Sequence, residues 1–281
     1  MGANTQIGWA KHSFNPWKGC EMKSRGCARC YMFRHANRWG QDPTLVSRSS
    51  EDVWQSPYRW NRQIKGNELV KERIVFMNSM SDFFIPQADA WRQEIYPILE
   101  QTTNLLYLIL TKYPERVMSL LPQNWSTEAH PNGYSHVILG TSVEDQKAAN
   151  LRIPDLINIR ANYKVISFEP LLGPIDLRPF LQEPTPTAPK RLPFDWAILG
   201  GESGYKTKQP GKKDFRYRKC ELEWLISLRD QLEAAGVPVF VKQVGSHLAR
   251  EYKLSAKAGQ RVEEWSPRSW RFPQDYLTLT H

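Results

Sequence analysis

Short apolar runs recur along the chain with amphipathic stretches between them. They are IVFMN (74–78), LLYLILT (105–111), HVILGTS (136–142), KVISFEP (164–170), DWAILGG (195–201) and PVFVKQV (238–244). Near-continuous apolar strands separated by helices predict a parallel sheet covered on its outer face. ADAWRQEIYPILEQ (88–101) and ELEWLISLRDQLEAAG (221–236) set apolar residues three and four apart, the period of a helix with one buried face. Gly236 supplies the left-handed stop of the second. A further helical pattern covers residues 30–39, and SFNPW (13–17) reads as one more short strand. The predicted fold class is therefore α/β, a partial (β/α) TIM-like barrel of six or seven parallel strands. That is fewer than the eight of the closed form, which leaves a lateral opening.

Each run gives way to polar residues: Asn78 and Ser79 with Asp82 close by, Lys112, Ser142 and Glu144, Glu169, Glu202, and Lys242. In a β/α barrel the C-terminal strand ends face one mouth, where the loops build the active site. A single charged residue after a strand marks its exit into solvent. The same feature on all six strands delivers polar groups to one place.

Length and composition fit this architecture. A chain of 281 residues, 41% hydrophobic and 24% charged, can bury a full core within one barrel domain, 1–281. The Pro-rich stretch EPTPTAPKRLP (183–193) reads as an extended loop, and 249–281 as a segment wrapping the barrel with Trp265 and Trp270 as anchors. No run approaches a membrane span, MGANTQIGWAKHSFN holds no signal-peptide core, and Gln6 stands where a myristoylation signal has Ser or Thr. A soluble cytoplasmic protein is expected.

The chain has four cysteines, and three of them, Cys20, Cys27 and Cys30, share one loop in the spacing C-x6-C-x2-C. In a reducing compartment such a cluster reads as metal ligands, and an odd number cannot pair internally. Gly19 and Gly26 each precede a cysteine, where a tight backbone brings N–H groups close to sulfur. Two sites suit three thiolates. Structural zinc would need a fourth ligand, which His35 could supply. A 4Fe–4S cubane held by three cysteines would leave one iron open to an external ligand. Cys220 lies far off at the head of the second helix and reads as a small buried hydrophobe.

A formal net charge of +9 and a pI of about 9.4 favour a polyanionic partner. The densest basic run, YKTKQPGKKDFRYRK (205–219), comes directly after the Gly200-Gly201-Glu202 strand end. Lys212, Lys213, Arg216 and Arg218 could neutralise phosphates there, with Tyr205, Phe215 and Tyr217 stacking on bases. A solvated loop is the alternative.

Seven stretches carry a family resemblance: FNPWKGCEMKSRGCARCY, MNSMSDFF, LTKYPER, LGTSVEDQ, ISFEPLLGPI, AILGGESG and GVPVFVKQVG, spread from residue 14 to 245. They resemble the phage-associated three-Cys-motif proteins, a radical S-adenosylmethionine-like family that is more remotely similar to spore photoproduct lyase. The resemblance implies a 4Fe–4S cluster on Cys20, Cys27 and Cys30 with S-adenosylmethionine chelating the open iron. One electron from the cluster would then give a 5′-deoxyadenosyl radical that modifies or repairs a nucleic acid or nucleotide. It also implies a one-electron donor such as flavodoxin or ferredoxin. Within that picture Ser142 and Glu144 suit ribose hydroxyls, Glu169 and Glu202 a hydroxyl or the methionine ammonium, and Lys112 and Lys242 a carboxylate or phosphate. Ser142, Glu144 and Glu202 are thus the expected cofactor contacts, and Lys112, Glu169 and Lys242 the expected catalytic groups. Two features depart from the usual radical enzymes. Six residues rather than three separate the first two cysteines, and Gly-Gly-Glu sits on a late strand rather than an early one. Three classes stay open: a radical enzyme, a zinc-stabilised nucleic-acid-binding module, and an iron–sulfur protein with a structural or redox role.

Overall fold

The structure is a computed structural model that describes residues 4–5, 7–38, 40–65, 69–128, 130–181, 192–204 and 217–261. Nine strands occur among them: β1 (His12–Phe14), β2 (Trp17–Lys18), β3 (Ser47–Arg48), β4 (Ile74–Met77), β5 (Leu106–Thr111), β6 (Val137–Ser142), β7 (Tyr163–Phe168), β8 (Trp196–Gly200) and β9 (Val239–Gln243). The antiparallel pair β2–β3 stands apart from the main sheet. The other seven form one sheet in the order β1-β4-β5-β6-β7-β8-β9, parallel throughout. Spatial order matches chain order, the arrangement of a sheet wound in one direction only.

Side-chain alternation along each strand divides the apolar residues into two sets. Val75, Met77, Tyr107, Ile109, Leu139, Ile166, Phe168, Leu199 and Val241 join the large core with Ile95 and Leu99 of the helix Asp89–Gln101. Val117 of Pro114–Leu120, Ile153 and Leu156 of Gln146–Asn158, and Leu228 and Leu232 of Leu222–Ala234 complete that layer. The other set, Ile74, Leu106, Leu108, Ile138, Val165, Trp196, Ile198 and Phe240, packs together with Trp9. Helices thus cover one face, and the second face encloses itself.

That enclosure requires a curled sheet. Six strand intervals would separate β1 from β9 by about 29 Å if flat. Yet a Cβ placed on Gly8, just ahead of β1, would meet the Phe240 ring of β9 at 3.4 Å. Trp9 lies edge-on to Phe76 of β4 at 4.8 Å and to Trp196 of β8 at 6.3 Å. The N-terminal end of the barrel is therefore plugged by aromatic rings, although no ladder joins β1 to β9. The expected partial barrel is present with seven strands. Gly236 takes φ +73 just beyond the helix Leu222–Ala234, the left-handed stop its position called for. Among the described residues no helix is long and apolar enough to cross a membrane.

Candidate functional site

The same alternation that fills the barrel interior also builds its mouth. On β4 the inward column runs Ile74, Phe76 and then Asn78; on β5 it runs Leu106, Leu108, Leu110 and then Lys112. Ser142 ends the column on β6, Ser167 and Glu169 the one on β7, Glu202 comes just after β8, and Lys242 lies near the end of β9. Asn78, Lys112, Ser142, Ser167, Glu169, Glu202 and Lys242 all border one cavity of about 260 Å³. Ile7, Trp9, Phe76 and Leu110 line it as well, the apolar side next to the barrel interior. Cys20, Cys27 and Cys30 border the same cavity. None of the four cysteines is in a disulfide.

The cysteine loop is held down from several sides. It leaves β2 through Gly19, whose φ of +94 is a left-handed conformation that suits glycine. A Cβ there would lie 2.2 Å from the Leu45 carbonyl oxygen. The Gly19 carbonyl accepts from Ser81 Oγ at 2.5 Å, and the Cys20 N–H donates to Pro43 O at 2.8 Å. The 3-10 turn Arg25–Arg29 carries Cys27, and the helix Tyr31–Arg38 begins directly after Cys30. Gly26 N–H donates to Glu144 Oε1 at 3.3 Å, and a Cβ on Gly26 would come within 3.2 Å of that carboxyl carbon. From the β5 side, Tyr113 donates its phenol to Glu21, while Lys23 pairs with Glu115 at 2.9 Å and lies 4.1 Å from the centre of the Tyr113 ring. Tyr31 donates its hydroxyl to Ser79 O. We expect Gly19→Ala to cost about 1–3 kcal/mol through strain at this turn; equilibrium urea unfolding measures it, and unchanged stability would mean the turn relaxes freely.

The electrostatics around the thiols are set by burial. Burial, with the nearby Asp82 carboxylate adding to it, pushes Cys20 up to about 12; burial also raises Cys30. Asp82 is itself raised by burial, although its carboxylate accepts from Thr111 Oγ1 at 2.6 Å, the Lys112 N–H at 2.7 Å and the Phe84 N–H at 3.0 Å. Among the described residues the Lys112 ammonium has no ion-pair partner, and its charge opposes the upward shift of Cys20 and Cys30. Lys242 binds both oxygens of Glu169, at 2.8 and 3.0 Å, and Gln243 Nε2 adds a bond to Glu169 at 3.1 Å.

Two residues stand elsewhere than the sequence suggested. Glu144 is not on the cavity wall. Strand geometry ends at Ser142, and beyond it the carboxylate turns under the cysteine loop to pair with Arg152 at 2.9 Å, the two side chains 3% and 4% exposed. There it braces the loop through the Gly26 N–H. Arg218 is already paired within the protein. Its backbone N–H and Nε donate to Glu202 at 2.7 and 3.2 Å, its Nη2 pairs with the same carboxylate, and its Nη1 donates to Arg25 O at 2.5 Å. It ties the exit of β8 to the cysteine loop. Lys212, Lys213, Arg216, Tyr205 and Phe215 lie outside the described residues, as do Trp265, Trp270 and the end of the expected wrapping segment. His35 is exposed on the helix Tyr31–Arg38 and does not border the cavity. Among the described residues no group of three or more His, Cys, Asp and Glu side chains could hold a metal ion. Cys220 is fully buried in the helix-side core, in keeping with its reading as a small hydrophobe.

A curled, singly wound parallel sheet with cysteines and strand-end polar groups around a cavity at its C-terminal mouth defines a partial-barrel α/β protein with a candidate active site in the usual place for that architecture. The chain belongs to the family described as protein of unknown function DUF5131, which matches residues 4–271. No curated protein matches it. Among solved structures, a spore photoproduct lyase mutant aligns at 12% identity over 86% of this chain and 81% of its own, with a TM-score of 0.48. Strand order and curl define the fold here independently of that likeness.

Proposed function

We propose that the chain is a radical S-adenosylmethionine enzyme, with a 4Fe–4S cluster on Cys20, Cys27 and Cys30 and the cofactor on the iron that lacks a cysteine. The observation that carries the reading is the meeting of three undisulfided thiols with the polar ends of six strands around one cavity. Three thiolates from one loop are the ligand number of a cubane with one open position. Cluster binding would have to draw the loop together, because as placed no three of the described His, Cys, Asp and Glu side chains form a group that could hold a metal ion. The Cys3His zinc site lacks its expected fourth ligand, because His35 stands away from the cavity. When bound and reduced, the cluster would supply the electron that opens a carbon–sulfur bond of S-adenosylmethionine. The chain's own part is to position and to shield. Lys112 offers a cation to a carboxylate or phosphate, Ser142 a hydroxyl, and the Lys242–Glu169 pair a donor and an acceptor already oriented by each other. The apolar lining excludes water and stray hydrogen donors. A one-electron donor such as flavodoxin or ferredoxin would be the partner.

Anaerobic purification tests the assignment. A brown protein that releases 5′-deoxyadenosine when reduced with S-adenosylmethionine supports it. A colourless protein with one zinc would favour a nucleic-acid-binding module, and a brown but inert one a structural or redox role.

The basic balance of the chain supports a nucleic acid or nucleotide as substrate. Replacing Lys212, Lys213 and Arg216 together by Gln should weaken binding across sequences and reduce the log–log salt slope by about 0.7–0.9 for each phosphate no longer neutralised. Titrations of single-stranded and duplex DNA and RNA at several salt concentrations read this out. A variant that binds like the parent at every concentration would remove the run from the substrate path.

A further inference from the structure

Among the described residues, two buried side chains on the cavity wall carry polar atoms with no hydrogen-bond partner. Asn78 is 3% exposed, and among the described residues neither its Nδ2 nor its Oδ1 has a hydrogen-bond partner; Trp9 is 2% exposed, and its Nε1 is in the same state. Both residues line the cavity. Folded interiors rarely leave buried donors and acceptors unpaired, because the hydration given up is not returned. The two lie in one neighbourhood: Asn78 succeeds Phe76 on the inward column of β4, and the Trp9 ring meets Phe76 at 4.8 Å. Ile7 and Leu110 complete an apolar lining there. Beside Trp9 Nε1 such a wall gives a bridging water few further polar partners.

We infer that this inner part of the cavity is a nucleobase subsite. A flat heteroaromatic ring enters against Trp9 and Phe76, Asn78 meets its edge with one donor and one acceptor, and Trp9 Nε1 donates to a ring acceptor. The carboxamide carries a donor and an acceptor side by side, the complement of the paired groups on a base edge. The aromatic rings supply the apolar faces on which bases pack. Lys112 continues the neighbouring inward column two residues beyond Leu110, on the mouth side, where the phosphate or carboxylate of the same molecule would lie. Asn78 also takes φ +53, and asparagine tolerates that conformation better than most residues. Backbone conformation accounts for the residue type but not for an amide left unpaired.

The inference deepens the proposed function, since it rests on this cavity being the enzyme's ligand site. Adenine of the cofactor and a base of the substrate share the chemistry, and binding measurements on the full chain separate them. Calorimetry with adenosine, thymidine and methionine should show nucleoside binding in the parent. Asn78→Gly keeps the backbone freedom and deletes the amide, and should weaken nucleoside binding about 5- to 100-fold. Trp9→Phe keeps a ring and deletes the donor, and should weaken it about 2- to 10-fold. Methionine binding should not change. Loss confined to adenosine assigns the subsite to the cofactor, loss confined to thymidine to the substrate, and loss of both to a site that takes either. Asn78→Asp, which keeps the shape and removes the donor, is the second variant should the glycine variant not fold. A parent that binds no nucleoside, or folded Asn78 variants that bind them like the parent, would overturn the inference. Iron content, measured separately, judges the radical-enzyme reading: iron-free protein whose variants lose nucleoside affinity sinks that reading and leaves the subsite standing.

Discussion

Replacing any one of Cys20, Cys27 and Cys30 by Ala should abolish iron binding, whereas Cys220→Ala should retain the full complement. The contrast comes from placement. Three of the thiols border the cavity, and the fourth is buried in the helix-side core, with burial pushing it up to about 12. A cubane that keeps only two cysteine ligands exposes a second iron, so the loss should be near total rather than graded. His35→Ala belongs in the same series and should leave iron unchanged. Iron and sulfide analysis with visible spectroscopy after anaerobic reconstitution gives the answer. Equal iron loss in the Cys220 variant would break the three-ligand assignment, and metal loss in the His35 variant would restore the zinc reading.

Arg152→Met should destabilise the fold by about 3–5 kcal/mol, the cost of stranding a buried charge. Arg152 Nη1 bridges Ser142 O at 2.7 Å and Glu144 Oε2 at 2.9 Å, with both side chains almost fully enclosed. Adding Glu144→Gln should recover part of the loss, because the amide is neutral and still offers an oxygen to the Gly26 N–H. The pH dependence has a definite sign. Burial works against the Glu144 charge, but Arg152 first, with Ser24, Lys112 and the Gly26 N–H adding to it, outweighs burial and holds the group below its ordinary 4.5. A carboxyl depressed in the folded state contributes stability above its unfolded value and loses it as pH falls through the folded one. The gap between parent and Arg152→Met should therefore be widest near neutrality and narrow below about pH 4. Urea unfolding across that range measures it. A penalty under about 1 kcal/mol, independent of pH, would mean the pair is solvated rather than buried.

The strands were legible because each is a short apolar run and because parallel strands, covered on both faces, tolerate few polar interruptions. The strand-end residues were legible for the same reason, as the first polar positions after the runs. Glu144 misled because side-chain parity holds only while the strand lasts; once β6 ends at Ser142, the backbone turn decides which way a carboxylate points. Arg218 misled because a basic run records its own charge and not the Glu202 that neutralises one member of it. Trp9 had no local signal at all, since its neighbours Phe76 and Trp196 come from distant strands brought together by curl. The brace that Tyr113 makes on Glu21 of the cysteine loop was hidden likewise, because it is a long-range pairing with no periodic trace.

Among the described residues the two edges of the sheet meet by packing and not by a strand ladder. β1 has three residues and pairs only with β4, and β9 pairs only with β8. A closed barrel would have to break a ladder to widen. Here the gap between first and last strands can spread by sliding the Gly8–Phe240 and Trp9–Trp196 contacts apart, with every interstrand hydrogen bond kept. The described contacts across this seam lie at the N-terminal end of the barrel, so separating the two edges there would cost side-chain packing and no strand ladder.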